Sequence, residues 1–493
     1  MTNEKNNGLE IKERKMKFPI HQVLAAIICN LGSLNCGMGI GWLSPALPQL
    51  RAAGGPLSAV SVTLPALLTG PAAAQGFSGL DPDQAASLAS WLAGAFPMTA
   101  LLCTPLTALL AEAAGRKVCA MAAGIPFAIN AITIIATDNI YCLLAGRFIM
   151  GIGVALAMGN IPTYIGETSE ARVRGTLGSL LTLTYTCGIT ACYIVGGFMS
   201  YRAAAVMMLV SAVLSTVLFL IAPETPAWLV KKGKIQRAAD SIAWLWRVDA
   251  RDPLVQQELE RLQGATKSVP TSRLQAAKQL VLSKPLRRGF LLCLMAICIQ
   301  GWMGMIAVHS YSITIFLESG AGVLSAEGAA AVYGCIQITG ALSVTSLIER
   351  SGRKVLMACS SFGVAVCMVS MGLYLHLQSQ GVDLSAVQWL PVLALSLCVF
   401  TYTIGAGSVP FILISDLLTN EVRSVAGMAV VQVLFTNTFI LLRFYGPAAA
   451  AFGSHTIFYF FSVSATLGGI GTILLLPETK GKSTEEIQEI LNR

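Results

Sequence analysis

Apolar residues in this 493-residue chain come in runs of about 20, with short charged segments between them. Inside a bilayer every backbone N–H and C=O must be satisfied by protein, which leaves only helices and closed barrels. Runs of this length are about twice what a transmembrane strand needs, so they select helices. Charged residues make up only 12% of the chain, half of the roughly 25% usual in soluble domains. Twelve spans are expected, near residues 20–44, 89–111, 118–137, 141–163, 176–198, 203–222, 288–316, 327–348, 355–376, 390–415, 424–445 and 454–476.

The charged segments repeat. Glu112-Ala113-Ala114-Gly115-Arg116-Lys117 returns as Glu349-Arg350-Ser351-Gly352-Arg353-Lys354. Glu167, seven positions before Arg174, returns as Asp416 before Arg423, and Pro223-Glu224-Thr225 returns as Pro477-Glu478-Thr479. Three motifs recurring in one order, about half a chain apart, imply a duplicated half. The expected fold is therefore an all-α membrane protein, with twelve transmembrane helices in two pseudo-symmetric six-helix bundles. Its parts are a cytoplasmic N-terminus (1–19), a first bundle (20–222), a linker with short helices (223–287), a second bundle (288–476) and a tail (477–493). Helical amphipathic spacing places linker helices at Ile235 to Trp246 and Leu254 to Leu262.

Of the 33 Lys and Arg, all but Arg51, Arg147, Arg202 and Arg443 fall in segments that share one face. The positive-inside rule puts that face, with both termini and the linker, in the cytoplasm, and the plasma membrane is the expected residence. The net charge of +8 is then a topology signal and not a nucleic-acid footprint. The expected partners are a small-molecule substrate and the lipid bilayer, with no nucleic acid, and the chain is expected to be monomeric. Residues 1–17 are polar, so no cleavable signal peptide is expected. The thirteen cysteines lie mostly within spans and read as small buried apolar residues. No metal or cofactor is expected, and no Asn-x-Ser/Thr acceptor occurs. The outer segment 51–88, rich in Ala, Gly and Pro, reads as a flexible cap.

Glu112, Arg116, Glu167, Arg174 and Glu224, with Glu349, Arg353, Asp416, Arg423 and Glu478, sit where spans end. Each could simply anchor a helix end at the interface. As a duplicated set they read as a gate, in which pairs bridging the two halves hold the cytoplasmic side shut and break when it opens.

These motifs resemble the sugar porters of the major facilitator superfamily. The resemblance rests on Gly146-Arg147-x3-Gly151 followed by Pro162-x-Tyr164-x2-Glu167-x6-Arg174-Gly175, on Pro223-Glu224-Thr225-Pro226-Ala227-Trp228-Leu229, and on Pro477-Glu478-Thr479-Lys480-Gly481. Gly41-Trp42-x-Ser44-Pro45-Ala46-Leu47-Pro48 and Cys335-Ile336-Gln337 look most like the insect facilitated trehalose transporter-like branch. The resemblance implies two bundles around a midplane site reached alternately from each side, and makes Arg147 a structural pairing residue.

The departures bear on the substrate. The family's seventh span carries Gln-Gln-x-x-Gly-x-Asn, which bonds sugar hydroxyls. Here the stretch is Gln300-Gly301-Trp302-Met303-Gly304-Met305-Ile306, so the second Gln and the Asn are lost. Tyr311 keeps one of two paired tyrosines, Phe411 replaces a tryptophan, and Leu434 falls on a polar position of the eleventh span. Thr182 and Gln337 keep polar character. The resemblance thus implies a site of Thr182, Gln300, Gly301, Ile306, Tyr311, Gln337, Phe411 and Leu434. A mid-span His309 either faces this cavity or is packed and neutral. Each unsatisfied buried polar group costs about 1–3 kcal/mol, so the losses point to weak hexose binding or a less hydroxylated ligand. Restoring Gln at 301 and Asn at 306 is expected to raise hexose uptake.

No acid lies between Lys17 and Arg51, where the resemblance implies that proton-coupled members carry one, at the position of Gly37. Facilitated diffusion of a small organic solute, a sugar such as trehalose or a hexose, is therefore the expected function. A carrier of a less polar solute and a non-transporting sensor are the alternatives, although sensors of this type carry longer tails than Pro477 to Arg493. No nucleophile–base pair, metal cluster or phosphate loop supports an enzyme.

Overall fold

The computed structural model describes residues 19–51, 82–268, 273–320, 322, 324–482 and 484–492, and these contain helices and no strand. The expected N-terminal segment 1–19 and outer cap 51–88 fall mostly outside them. The first half runs α1 (Ile20–Gly41), α2 (Leu43–Arg51), α3 (Pro82–Ala114), α4 (Arg116–Ala136), α5 (Ile140–Thr168), α6 (Ala171–Phe198) and α7 (Tyr201–Leu218). Four linker helices follow: α8 (Pro226–Lys231), α9 (Ile235–Trp246), α10 (Pro253–Ser268) and α11 (Arg273–Leu282). The second half runs α12 (Lys284–Trp302), α13 (Met305–Glu318), α14 (Ala326–Ser351), α15 (Arg353–Ser379), α16 (Leu390–Ile404), α17 (Val409–Leu417), α18 (Asn420–Phe452) and α19 (Ser454–Leu475), and α20 (Thr484–Asn492) ends the chain.

Among the described residues, eleven spans are long and apolar enough to cross a bilayer. α14, 26 residues with many Ala, Gly, Ser and Thr, completes the twelve. Several helices outrun the apolar runs that announced them. α3 starts at Pro82 and α18 reaches Phe452, because a helix continues past the hydrocarbon while hydropathy registers only the length inside it.

Three spans are each built from two helices, the first breaking at Trp42, the seventh at Met303 and Gly304, and the tenth at residues 405–408. The seventh break depends on glycine. Gly304 has φ +80°, and a Cβ there would lie 2.2 Å from Phe461 Cδ2. Breaks in spans are tolerated where protein, not lipid, surrounds them. Elsewhere small residues let helices touch. A Cβ on Gly37 of α1 would meet the Tyr185 carbonyl oxygen of α6 at 2.0 Å, and one on Gly188 would meet the Leu34 carbonyl oxygen at 2.3 Å. The two backbones are in direct contact, the close packing that small residues permit between membrane helices.

Within each half the main contacts are α1 on α6, α3 and α4 on α5, α4 on α7, α14 and α15 on α16, and α15 on α19. The halves meet through α3 and α18, α6 and α14, and α2 and α13. The linker is shared between them. Trp228 Nε1 donates to the Glu112 carbonyl and Ser241 to that of Glu224, holding α8 and α9 on the first half. α11 packs on α12 and α18, and Arg288 and Gln488 tie α20 to the second half through the Leu491 and Leu417 carbonyls. The two linker helices read from the sequence form where expected.

Candidate functional site

At the meeting of the halves lies a cluster of aromatic and amide side chains. His309, 3% exposed, is engaged on both ring nitrogens. The Gln337 Nε2 lies 3.4 Å from its Nε2 and the Tyr333 hydroxyl 2.8 Å from its Nδ1. An amide N–H can only donate, so it bonds a bare Nε2, and the ring proton on Nδ1 is donated to Tyr333. A neutral imidazole has one donor and one acceptor to offer, and both are used. Of the two readings of His309, the packed one describes this conformation. Tyr193 of the first half donates to the His309 carbonyl at 2.6 Å, joining the halves at this point.

Gln300 closes the α12 side of the cluster. Its Nε2 donates to the Gly407 carbonyl at 3.1 Å and the Tyr402 hydroxyl at 3.3 Å, and the Tyr402 ring lies edge-on to His309. The amide oxygens of Gln300 and Gln337 are buried without a partner. Such atoms are costly unless a ligand or water meets them.

Other expected residues stand apart. Tyr311 stacks on Tyr445 at 4.8 Å and donates to the Leu442 carbonyl. Ile306 packs in the main apolar core, and Leu434 against a second one around α12 and α17. Thr182 is partly exposed on α6 and Phe411 is 43% exposed on α17, and neither is hydrogen-bonded into the cluster. Gly301 faces α18, where a Cβ would lie 2.8 Å from both Cβ and Nδ2 of Asn437. A glutamine at 301 would need Asn437 to move, which bears on the gain expected from restoring Gln at 301 and Asn at 306 together.

Several members were not foreseen. Tyr333 lies one helical turn before Gln337 and so on its face. Asn437 lies three residues after Leu434, one turn on. Tyr193 and Tyr402 sit in apolar runs with no local mark. Hydroxyls inside spans that face across the half-interface were the signal available.

Among the described residues, the side-chain contacts named between the halves lie from this cluster toward the far face, away from the linker. Ser44 of α2 shares a hydrogen bond of 2.8 Å with Ser312 of α13 and accepts from the Ile313 N–H at 2.9 Å. The Arg443 guanidinium sits 4.8 Å from the Trp91 ring centre. A Cβ on Gly197 or Gly334 would press on Glu327 or Thr190 across the same seam. Toward the linker face, Arg172, Arg174, Gly175, Thr176 and Gly178 on α6 are exposed, and a Cβ on Gly175 or Gly178 would meet nothing within 4 Å. Among the described residues, the named contacts between the halves gather toward the far face, and these α6 residues near the linker are exposed.

Arg147 is fully buried. It donates to the Leu92 carbonyl at 3.0 Å and to the Gly39 carbonyl, and packs on Trp42 and Phe96. Its partners are main-chain oxygens of α1 and α3, so it binds three spans of one half together.

The duplicated motifs adopt one geometry twice. Glu224 accepts from the N–H groups of Arg116 and Lys117 at 3.0 and 3.2 Å, and Glu478 from those of Arg353 and Lys354 at the same distances. Each carboxylate caps the N-terminus of the helix its Gly opens, where orphan donors and the helix dipole favour negative charge. Gly115 and Gly352 have φ of +106° and +84°, and a Cβ on either would strike that carboxylate. The arginine side chains turn the other way, Arg116 to Glu167 at 2.9 Å and Arg353 to Asp416 at 3.1 Å. Each pair lies within one half. Arg174 donates to the Ser169 carbonyl, and Arg423 to those of Ser415 and Leu418. The main chain of Glu112 holds Trp228, and the Glu349 side chain lies outside the described residues. Burial pushes the Glu224 carboxyl above the usual range against its backbone donors. Burial acts the same way on Glu478, but four backbone donors outweigh it and hold that carboxyl below the usual range.

Residues 59–491 match the sugar (and other) transporter family. The facilitated trehalose transporter Tret1 of Bombyx mori is 30% identical over 467 residues, covering 95% of this chain and 86% of that protein. A Tret1-2 homolog of Drosophila simulans is 29% identical, over 96% of this chain and 91% of its own length. Among solved structures, the proton:xylose symporter XylE bound to 6-bromo-6-deoxy-D-glucose is similar in fold, with a TM-score of 0.73 at 19% identity over 96% of this chain and 99% of that one. The inward-open conformation of XylE from E. coli also gives 0.73, at 17% identity over 94% of this chain and 98% of that one. On the matched length, this chain belongs to the sugar (and other) transporter family.

Proposed function

We propose that this chain is a facilitative carrier that moves a sugar through the plasma membrane as a monomer, by alternating access, with both termini in the cytoplasm. A polar cluster between two halves, sealed from the far face and approached from the linker face, is what a carrier facing inward presents. The names of the relatives make trehalose, and then a hexose such as glucose, the first solutes to try.

Passive transport is supported by the packing of α1. Gly37 lies against the Tyr185 carbonyl with no room for even a Cβ, so no acid fits there without parting α1 from α6. Arg147 accordingly takes its hydrogen bonds to carbonyl oxygens. On closure of the linker face, Arg174 and Arg423 would exchange carbonyls of their own half for acids of the other. Glu167 and Asp416, already held by Arg116 and Arg353, are the acids placed to receive them.

Uptake by the purified protein in proteoliposomes, across trehalose, glucose, polyols and apolar metabolites, tests this reading. Saturable entry of trehalose or glucose is expected. Entry of apolar solutes alone would favour the carrier of a less polar ligand, consistent with Ile306 and Leu434. No entry of any solute, with the protein correctly inserted, would refute transport.

A further inference from the structure

Gly301 and Asn437 occupy one space from two helices. The Asn437 side chain of α18 fills the volume a side chain on Gly301 of α12 would need, with Cβ and Nδ2 each 2.8 Å from the position of a Cβ there. Asn437 is 5% exposed, yet its Nδ2 has no hydrogen-bond partner. Its neighbours differ, since the hydroxyls of Thr436 and Thr438 are spent on the Gln432 and Leu434 carbonyls of their own helix. Beside Gly301 in the chain, Gln300 carries the complementary vacancy. Its amide nitrogen is used by Gly407 and Tyr402, and its buried oxygen is not.

We propose that Asn437 is a specificity-determining residue, supplying from the eleventh span the hydrogen-bonding amide that the seventh lacks at Gly301. A sugar hydroxyl donates to Gln300 Oε1 and accepts from Asn437 Nδ2, so both buried atoms are satisfied only when substrate is present. Hydroxyl recognition lost in one helix is returned by the other. This rests on the sugar-carrier reading above.

Uptake of radiolabelled glucose and trehalose into proteoliposomes, with a series of deoxyglucoses as competitors, tests it. Asn437→Ala should raise KM by about tenfold and abolish discrimination against one deoxyglucose that the parent protein rejects. Asn437→Asp, which keeps the size but lacks the amide donor, should do the same if the alanine variant folds poorly. Thr438→Ala should change neither. Gly301→Gln alone should abolish uptake by collision, and Gly301→Gln with Asn437→Ala should regain it. An Asn437 variant with unchanged KM and unchanged deoxyglucose discrimination would overturn the proposal, as would a double variant no better than Gly301→Gln. If the parent protein carries neither sugar, the sugar-carrier reading itself fails. If the parent carries sugar and the Asn437 variants match it, only the assignment of Asn437 fails.

Discussion

Gly304→Ala should destabilise the protein through two separable effects. The residue sits at φ +80°, a conformation that costs an L-residue about 1–2 kcal/mol. The new methyl would also stand 2.2 Å from Cδ2 of Phe461, a side chain only 1% exposed in the core. Forcing extra volume into packed surroundings costs about 1–3 kcal/mol. Together these predict a loss of roughly 2–5 kcal/mol. Reversible unfolding of the purified protein in mixed micelles, followed by tryptophan fluorescence, reads the loss directly. Phe461→Ala as a second change, which removes the Cγ as well as the ring, should remove the collision but not the backbone term. Gly304→Ala placed on Phe461→Ala should therefore cost only about 1–2 kcal/mol. Equal cost in both backgrounds would refute the collision, and no cost in either would refute the assigned backbone conformation.

Ser44→Ala removes both far-face hydrogen bonds to α13, each worth about 1 kcal/mol. The resting population should shift toward the outward-open state by roughly tenfold or more, read as increased labelling of far-face cysteines by an impermeant reagent. Unchanged labelling would show that Ser44 does not hold the seal. Glu478, held below the usual carboxyl range, stabilises the folded state when ionised, a contribution present above the unfolded-state value and lost as pH falls through the folded one. Glu224 is raised, so its contribution has the opposite sign: it favours folding at low pH and fades as pH rises. Glu478→Gln should thus cost more than Glu224→Gln at pH 7, and the gap should close toward pH 4. A gap that does not change with pH would contradict the assignment.

The duplication was legible because the motifs are polar islands whose chemistry is local. Gly-Arg-Lys opens a helix, and an acid from the end of the same half, Glu224 or Glu478, caps it. The breaks in the seventh and tenth spans were not legible, since Met303-Gly304 and Gly405 to Ser408 sit inside continuous apolar runs and hydropathy has no term for backbone direction. The bridging role given to the charged motifs depended on which face is closed. In this conformation Arg116 and Arg353 hold acids of their own half. The site was legible only where a motif named it, at Gln300 and Gln337. Tyr193, Tyr333, Tyr402 and Asn437 reach it through helix rotation and crossing, which no single span reveals. That a neighbouring helix places Asn437 where a side chain on Gly301 would stand could not be read from either span alone.

Counterflow and net flux of trehalose and glucose in proteoliposomes, with and without an imposed proton gradient, test most directly whether this is a passive carrier. Gly37 packed on the Tyr185 carbonyl leaves no place for a proton-binding acid at that position of the first span. Flux should be saturable, should stop when sugar is equal on both sides, and should be unaffected by a protonophore. Accumulation of sugar above the outside concentration that collapses when the protonophore is added would contradict it.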